Sequence, residues 1–100
     1  MAFNRIFTTH KQTIEIMITD LQATHDSGAS FYGKAKIETA NGIENLISYN
    51  TAVATKKDNV IKVKGYYSPT TARHINEYLR QSGLAGISKK EMETNPKITL

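Results

Sequence analysis

The stretch SPTTARHINEYLRQSGL, Ser68 to Leu84, carries helix punctuation at both ends and limits what the rest of the chain can be. Ser68 precedes a proline, which pushes it out of the helical region and suits it to an N-cap. Pro69 at the first helical position forfeits no hydrogen bond it would have made. At the far end Gly83 stands where a left-handed terminator belongs, and Leu84 can fold back on Leu79. The spacing predicts a helix over 69–82 with Ala72, Ile75, Leu79 and part of Tyr78 as its buried stripe. Arg73, Asn76, Glu77 and Arg80 fall on the outer face, with His74 and Gln81 at its flank. Glu77 lies at helical pair spacing from both Arg73 and Arg80. One such stripe has to be covered by another layer, and the remaining pattern supplies a sheet.

TIEIMITDL, residues 13–21, alternates Ile14, Ile16 and Ile18 with polar neighbours in a run rich in β-branched residues. Phe3, Ile6, Phe7, Ile14, Met17, Ile18 and Leu21 also fit a helical period, but the loop chemistry of ATHDSGAS favours a strand that turns. SFYGKAKIE then alternates, with Phe31, Gly33, Ala35 and Ile37 on one face and Tyr32, Lys34, Lys36 and Glu38 on the other. The two segments make a hairpin. Asn41-Gly42 is a turn signal, after which NLISYNTAVAT reads as a third strand with Ile47, Tyr49, Thr51, Val53 and Thr55 on one side. VIKVKGYY is the fourth. A three-residue loop, Lys57-Asp58-Asn59, would pair Val53 with Val63 and Thr55 with Ile61, whereas a two-residue turn would set Val53 beside Lys64.

The expected fold is therefore α+β: a four-stranded antiparallel sheet of two successive hairpins, with one C-terminal helix packed across it. Residues 1–11 would be an N-terminal extension, 12–67 the sheet, 69–82 the helix and 83–100 a variable tail, either loose or a short helix followed by a strand. At 100 residues and 39% apolar content, with a mean hydropathy of −0.42, this is a single domain with a thin core.

No cysteine is present, which excludes disulfides, thiol catalysis and thiolate zinc sites. No apolar run approaches the ~20 residues that span a bilayer, and no secretion signal is evident, so a cytoplasmic protein without membrane partners is expected. Histidines 10, 25 and 74 share neither a helical face nor a ligand spacing, and the glycines form no phosphate-cradling motif. A Ser68, His74, Glu77 constellation could be drawn, but Ser68 is accounted for as a cap. No cofactor or metal and no enzymatic activity are expected.

Charge is the informative quantity. Residues 1–50 carry four basic and five acidic groups, residues 51–100 nine and four, so the second half holds a net +5 within an overall +4. Such asymmetry suits phosphates or an acidic protein surface. Away from the helix the sheet would show Tyr32, Lys34, Lys36, Lys62, Lys64 and Tyr66, and lysines interleaved with tyrosines can track phosphates and stack bases. An ordinary solvated face, with lysines blunting edge pairing, would look the same in sequence.

Two resemblances bear on function. SPTTARHINEYLRQSGL resembles the recognition helix of winged-helix repressors over about a sixth of the chain, which implies Thr70, Thr71, Arg73 and His74 approaching the major groove. The helix that should precede it is replaced by NVIKVKGYY, which reads as strand. SFYGKA, SYNTAVA and GYYSPTTARHINEYLRQ, in this order over residues 30–81, are similar to a family of small uncharacterised proteins carried by phages, plasmids and their bacterial hosts. That likeness implies origin, no agreed activity, and a shared site or fold built on Tyr49, Asn50, Thr51, Tyr67, Thr70, Arg73, His74 and Asn76. Tyr49, Asn50 and Thr51 are expected to meet the first turn of the helix at Thr70 and Thr71.

The functional expectation is a non-enzymatic binding module. DNA or RNA would be contacted through the basic C-terminal half, with Lys62, Lys64, Arg73, His74 and Arg80 at phosphates and Tyr66 stacking. The alternative is an accessory factor or inhibitor that binds a host or phage protein with an acidic surface. The exposed strand edge leaves a homodimer open.

Overall fold

The computed structural model describes the backbone of residues 2–8 and 13–100, and side chains from residue 15 onward. Seven strands form one antiparallel sheet in sequential order: β1 Ala2–Thr8, β2 Thr13–Asp20, β3 Ala35–Ala40, β4 Ile43–Ser48, β5 Thr51–Lys57, β6 Val60–Val63 and β7 Lys97–Thr99. Between β6 and β7 the chain makes α1, Pro69–Gln81, and the short α2, Lys89–Glu93. The α+β class holds, and the expected count of four strands does not.

Each extra strand has its own cause. Residues 2–8, expected as an extension, pair with β2. The expected third strand is two, because the chain reverses at Tyr49-Asn50 and Ser48 pairs with Thr51. Tyr49 sits at φ 59, a left-handed conformation that tyrosine seldom adopts, so the left-handed position of the turn is not marked by a Gly or Asn. Its N–H donates to the Lys34 carbonyl at 2.7 Å, which holds the residue in that conformation. The tail takes the helix-then-strand form. Ser88 and Glu91 cap α2 reciprocally, a Ser-x-x-Glu signature readable in SKKE, and β7 lies beside β6 with Ile98 opposite Ile61.

The other turns follow their chemistry. Asn41-Gly42 is a two-residue hairpin with both residues at positive φ. Asp58 and Asn59 form a second one, at φ 52 and 63, with Lys57 opposite Val60; this replaces the expected three-residue loop. The shorter turn does put the Lys64 N–H on the Val53 carbonyl. The pattern survives because the register shifts between Leu46 and Ile47, whose partners are Ala54 and Ala52, leaving Val53 as an extra residue in a bulge. Val53 and Ala54 are therefore consecutive yet both buried. Phe31 to Lys34, expected within a strand, is a turn, and β3 begins at Ala35.

One face of the sheet carries Ala35, Leu46, Val53, Ala54, Ile61 and Val63, on which α1 lays Ile75, Tyr78 and Leu79, and α2 adds Met92. The Ser68 hydroxyl caps α1 by accepting from Thr71 N at 3.1 Å, and Gly83, at φ 85, ends it while Leu84 N bonds the Leu79 carbonyl at 2.9 Å. No helix of the described residues lies across the opposite face. Among the described residues, no helix is long and apolar enough to cross a membrane.

The two-residue turn makes an energetic prediction. With Asp58 left-handed, Asp58→Val should cost roughly 1–2 kcal/mol and Asp58→Gly should lie within about 0.5 kcal/mol of the parent, measured by urea unfolding. A three-residue loop would show no such split.

Candidate functional site

Glu77, Arg73 and His74 of the helix layer are turned to protein partners, not left to solvent. Residues 21–34 run over α1 as a flap, and the side chains expected on its outer face hold that flap down. Glu77 is fully buried. Its Oε1 accepts from the Thr24 N–H at 3.1 Å and the His25 N–H at 2.7 Å. Its Oε2 accepts from the Thr24 hydroxyl at 3.2 Å, His25 Nδ1 at 2.8 Å and Gln81 Nε2 at 2.9 Å. Burial pushes this carboxyl up, but the donors from His25, Gln81 and Thr24 outweigh it and hold it at about 2. Glu77 thus pairs with the flap, and the expected local pairs with Arg73 and Arg80 do not form.

Arg73 is committed in the same way. Its guanidinium grips Asp26 through Nε, at 3.1 Å, and Nη2, reaches the Ser27 hydroxyl at 3.1 Å, and lies 5.6 Å from the Phe31 ring centroid. The Asp26 carboxyl is held well below the ordinary range, first by the Arg73 hydrogen bond.

His74, expected at the flank, is wholly buried beneath the flap. Its Nε2 lies 2.8 Å from the Ser30 carbonyl, its Nδ1 2.8 Å from Ser48 Oγ, and its ring meets Phe31 edge-on with Tyr49 tilted beside it. Burial lowers its pKa, so the imidazole is neutral. A carbonyl can only accept, so Nε2 carries the hydrogen, Nδ1 accepts from Ser48, and Ser48 Oγ accepts in turn from Thr71 Oγ1 at 2.8 Å. The first turn of α1 is thus met by the end of β4, with Ser48 and Thr71 as the bonded pair, in place of the expected Tyr49, Asn50 and Thr51; Asn50 and Thr51 are exposed, and Thr70 is half-buried. The network is saturated, and among the described residues no buried side-chain polar atom lacks a partner.

Asn76 completes the helix layer. It mimics a backbone strand, donating to the Ile87 carbonyl at 3.0 Å and accepting from the Ile87 N–H at 2.7 Å, which fixes the chain between α1 and α2. Arg80 is the exposed cation of α1.

The open face differs in kind. Alternation with buried Ile61 and Val63 puts Lys62 and Lys64 on it, both exposed, and β7 places Lys97 directly opposite Lys62. No acidic residue occurs in β5, β6 or β7. Among the described residues the ion pairs are Arg73–Asp26 and His25–Glu77, so these lysines have no carboxylate in contact. Tyr66 is half-buried on the core with Lys89 Nζ 4.8 Å from its ring centroid, and Tyr67 is exposed. The six residues expected at nucleic acid thus do not form one surface: Lys62 and Lys64 face one way, while Arg73, His74 and Arg80 belong to the layer behind. Farther along, where β2 and β3 meet the flap, a cleft of about 740 Å³ opens beside Asp20, Lys36 and Tyr32. Among the described residues no group of His, Asp and Glu could hold a metal.

A family of unknown function, DUF8033, matches residues 19–94. The chain belongs to that family. No curated protein matches the chain, and no solved structure does. The DUF8033 match takes in the flap, α1 and strands β3 to β6, so it covers the whole Glu77, Arg73 and His74 network. Ahead of α1 stand β6 and the connector through Gly65, where a winged-helix motif would have a helix.

The clamp predicts a pH response. A carboxyl held below its ordinary value contributes fully above about 4.5 and loses that contribution as pH falls toward about 2. Glu77→Gln should cost roughly 2–4 kcal/mol at neutral pH and flatten the acid limb of stability against pH in urea titrations. His74 has its own signature. The unfolded chain takes up a proton below about 6.5 that the buried ring refuses, so stability falls from there downward. Nitrogen-15 NMR should find the ring as the Nε2–H tautomer at pH 7.

Proposed function

We propose that this protein is a non-enzymatic binding module that takes single-stranded nucleic acid across its open sheet face. The supporting observation is the cluster of Lys62, Lys64 and Lys97 with no acidic neighbour. Like charges directly opposed on neighbouring strands cost stability, and among the described residues no carboxylate pairs with them. A polyanion would. Three or four such lysines suit a backbone tracked by charge, and half-exposed Ile47 and Ala52 on the same face offer apolar ground for sugars and bases. Arg73 and His74 are left out of the interface because the Arg73 guanidinium is engaged by Asp26 and Ser27 and the His74 ring is buried.

The alternative, an accessory factor or inhibitor from a mobile element bound to an acidic protein, would draw on the same lysines. It differs in giving no oligonucleotide binding at low salt and a stoichiometric complex with one protein.

The test is fluorescence anisotropy with labelled single- and double-stranded oligonucleotides over a salt series. The single strand should bind at micromolar affinity or better, with a log–log salt slope of about −2 to −3. Lys62→Ala/Lys64→Ala should weaken binding and reduce that slope by about 1.4, while Arg80→Ala, on the other layer, should change neither. Salt-independent binding, or loss with Arg80→Ala alone, would refute the assignment of the face.

A further inference from the structure

The cleft where β2 and β3 meet the flap has a built character that the lysine cluster lacks. Its lining includes Leu21 and Phe31, both nearly fully buried, and Ile18 on the open face. At about 740 Å³ it is in the range of small-molecule sites. Tyr32, which lines it, is 92% exposed, an aromatic ring standing in water at the edge of the cleft. Asp20 and Lys36 are directly opposed on neighbouring strands, so a carboxylate and an ammonium stand side by side in the same cleft. They make no ion pair with each other, although each is half-buried.

We infer that this cleft receives one unpaired guanine base, with Tyr32 against its face and Asp20 and Lys36 at its Watson–Crick edge. The edge chemistry selects the base. Guanine presents two adjacent donors, the N2 amino group and N1–H, followed by the O6 acceptor. A carboxylate has two acceptor oxygens for the donors, and an ammonium beside it can donate to O6. Adenine and cytosine would each set a ring acceptor against the carboxylate. Uracil and thymine offer a single donor between two carbonyls. Stacking on tyrosine is favourable for any base, so preference resides in the Asp20–Lys36 pair.

This inference rests on the proposed nucleic-acid reading for its usual source of guanine, a strand. The cleft lies on β2 and β3 and the lysines on β6 and β7. At about 4.8 Å between strands the two are some 15–20 Å apart across the face, a span of a few nucleotides. A free guanine nucleotide would present the same edge, and the experiment separates the two.

Anisotropy is measured for three labelled 12-mers, all thymidine, one central guanine and one central adenine, with the parent, Asp20→Ala, Tyr32→Ala and Lys62→Ala/Lys64→Ala proteins. GMP and AMP are titrated in parallel by heteronuclear NMR, and each variant is checked by thermal melting. The guanine 12-mer should bind roughly tenfold tighter than the other two. Asp20→Ala should erase that preference while retaining the all-thymidine affinity, and the double lysine variant should weaken all three alike. Lysine-dependent binding with no guanine preference overturns the cleft and leaves the strand-binding face intact. GMP shifts confined to the cleft and lost in Asp20→Ala, without binding of any oligonucleotide, support the guanine site with a free nucleotide as its ligand and refute the strand reading. Absence of both overturns both.

Discussion

Everything on the helix side of the molecule depends on the buried Glu77 carboxylate. An ionised group with no exposure is tolerable only when its acceptor capacity is filled, and five donors fill it, four of them from Thr24 and His25 on a segment more than fifty residues away in sequence. Lifting the flap would break four of the five hydrogen bonds to that carboxylate, so Glu77 ties the flap to α1 as part of the fold. Arg73 with Asp26 and His74 with Ser30 repeat the arrangement along the same helix face, with progressively weaker electrostatic consequences. A helix that would otherwise be covered on one side is covered on two.

This explains which parts were legible in advance. The ends of α1 could be read because caps are local: Ser68, Pro69, Gly83 and Leu84 act within a few residues of one another. The Asn41-Gly42 turn was legible for the same reason. The outer face of α1 was misread because helical periodicity separates polar from apolar side chains but says nothing of what lies over the polar ones. Glu77 at pair spacing from two arginines is a sound local reading, defeated by partners 52 and 53 positions away. No local signal separates this face from a solvated one: Gln81, one turn from Glu77, bonds its carboxylate and is itself exposed.

The sheet failed in a different way. Parity was the right instrument for the β5–β6 hairpin, and it led to the wrong turn because it assumed an unbroken strand. The bulge at Val53 adds one residue and the two-residue turn at Asp58-Asn59 removes one, so the two irregularities cancel and Ala54 with Val63 reaches the core. Tyr49 hid the reversal between β4 and β5, since its left-handed backbone is stabilised by a tertiary bond to Lys34 and by contact with the His74 ring. A residue held in an unfavourable conformation by distant contacts leaves no trace in local chemistry.

Taken together, the charges divide by layer. On the helix side, Arg73, Asp26, Glu77 and His25 are consumed internally, and strengthening binding through any of them would require breaking the fold that positions them. On the open face, Lys62, Lys64 and Lys97 cost the sheet a repulsion that its packing does not need, and Asp20 and Lys36 stand opposed without bonding. Stability alone would favour opposite signs at the Lys62–Lys97 site, such as the Asp20–Lys36 site has. The open face departs from that preference at the one site and keeps an opposite-sign pair at the other, beside the cleft that Tyr32 lines. The flap connects the two layers: Phe31 packs on His74 beneath it and lines the cleft beside it, so the clamp on α1 also sets the wall of the open-face cleft.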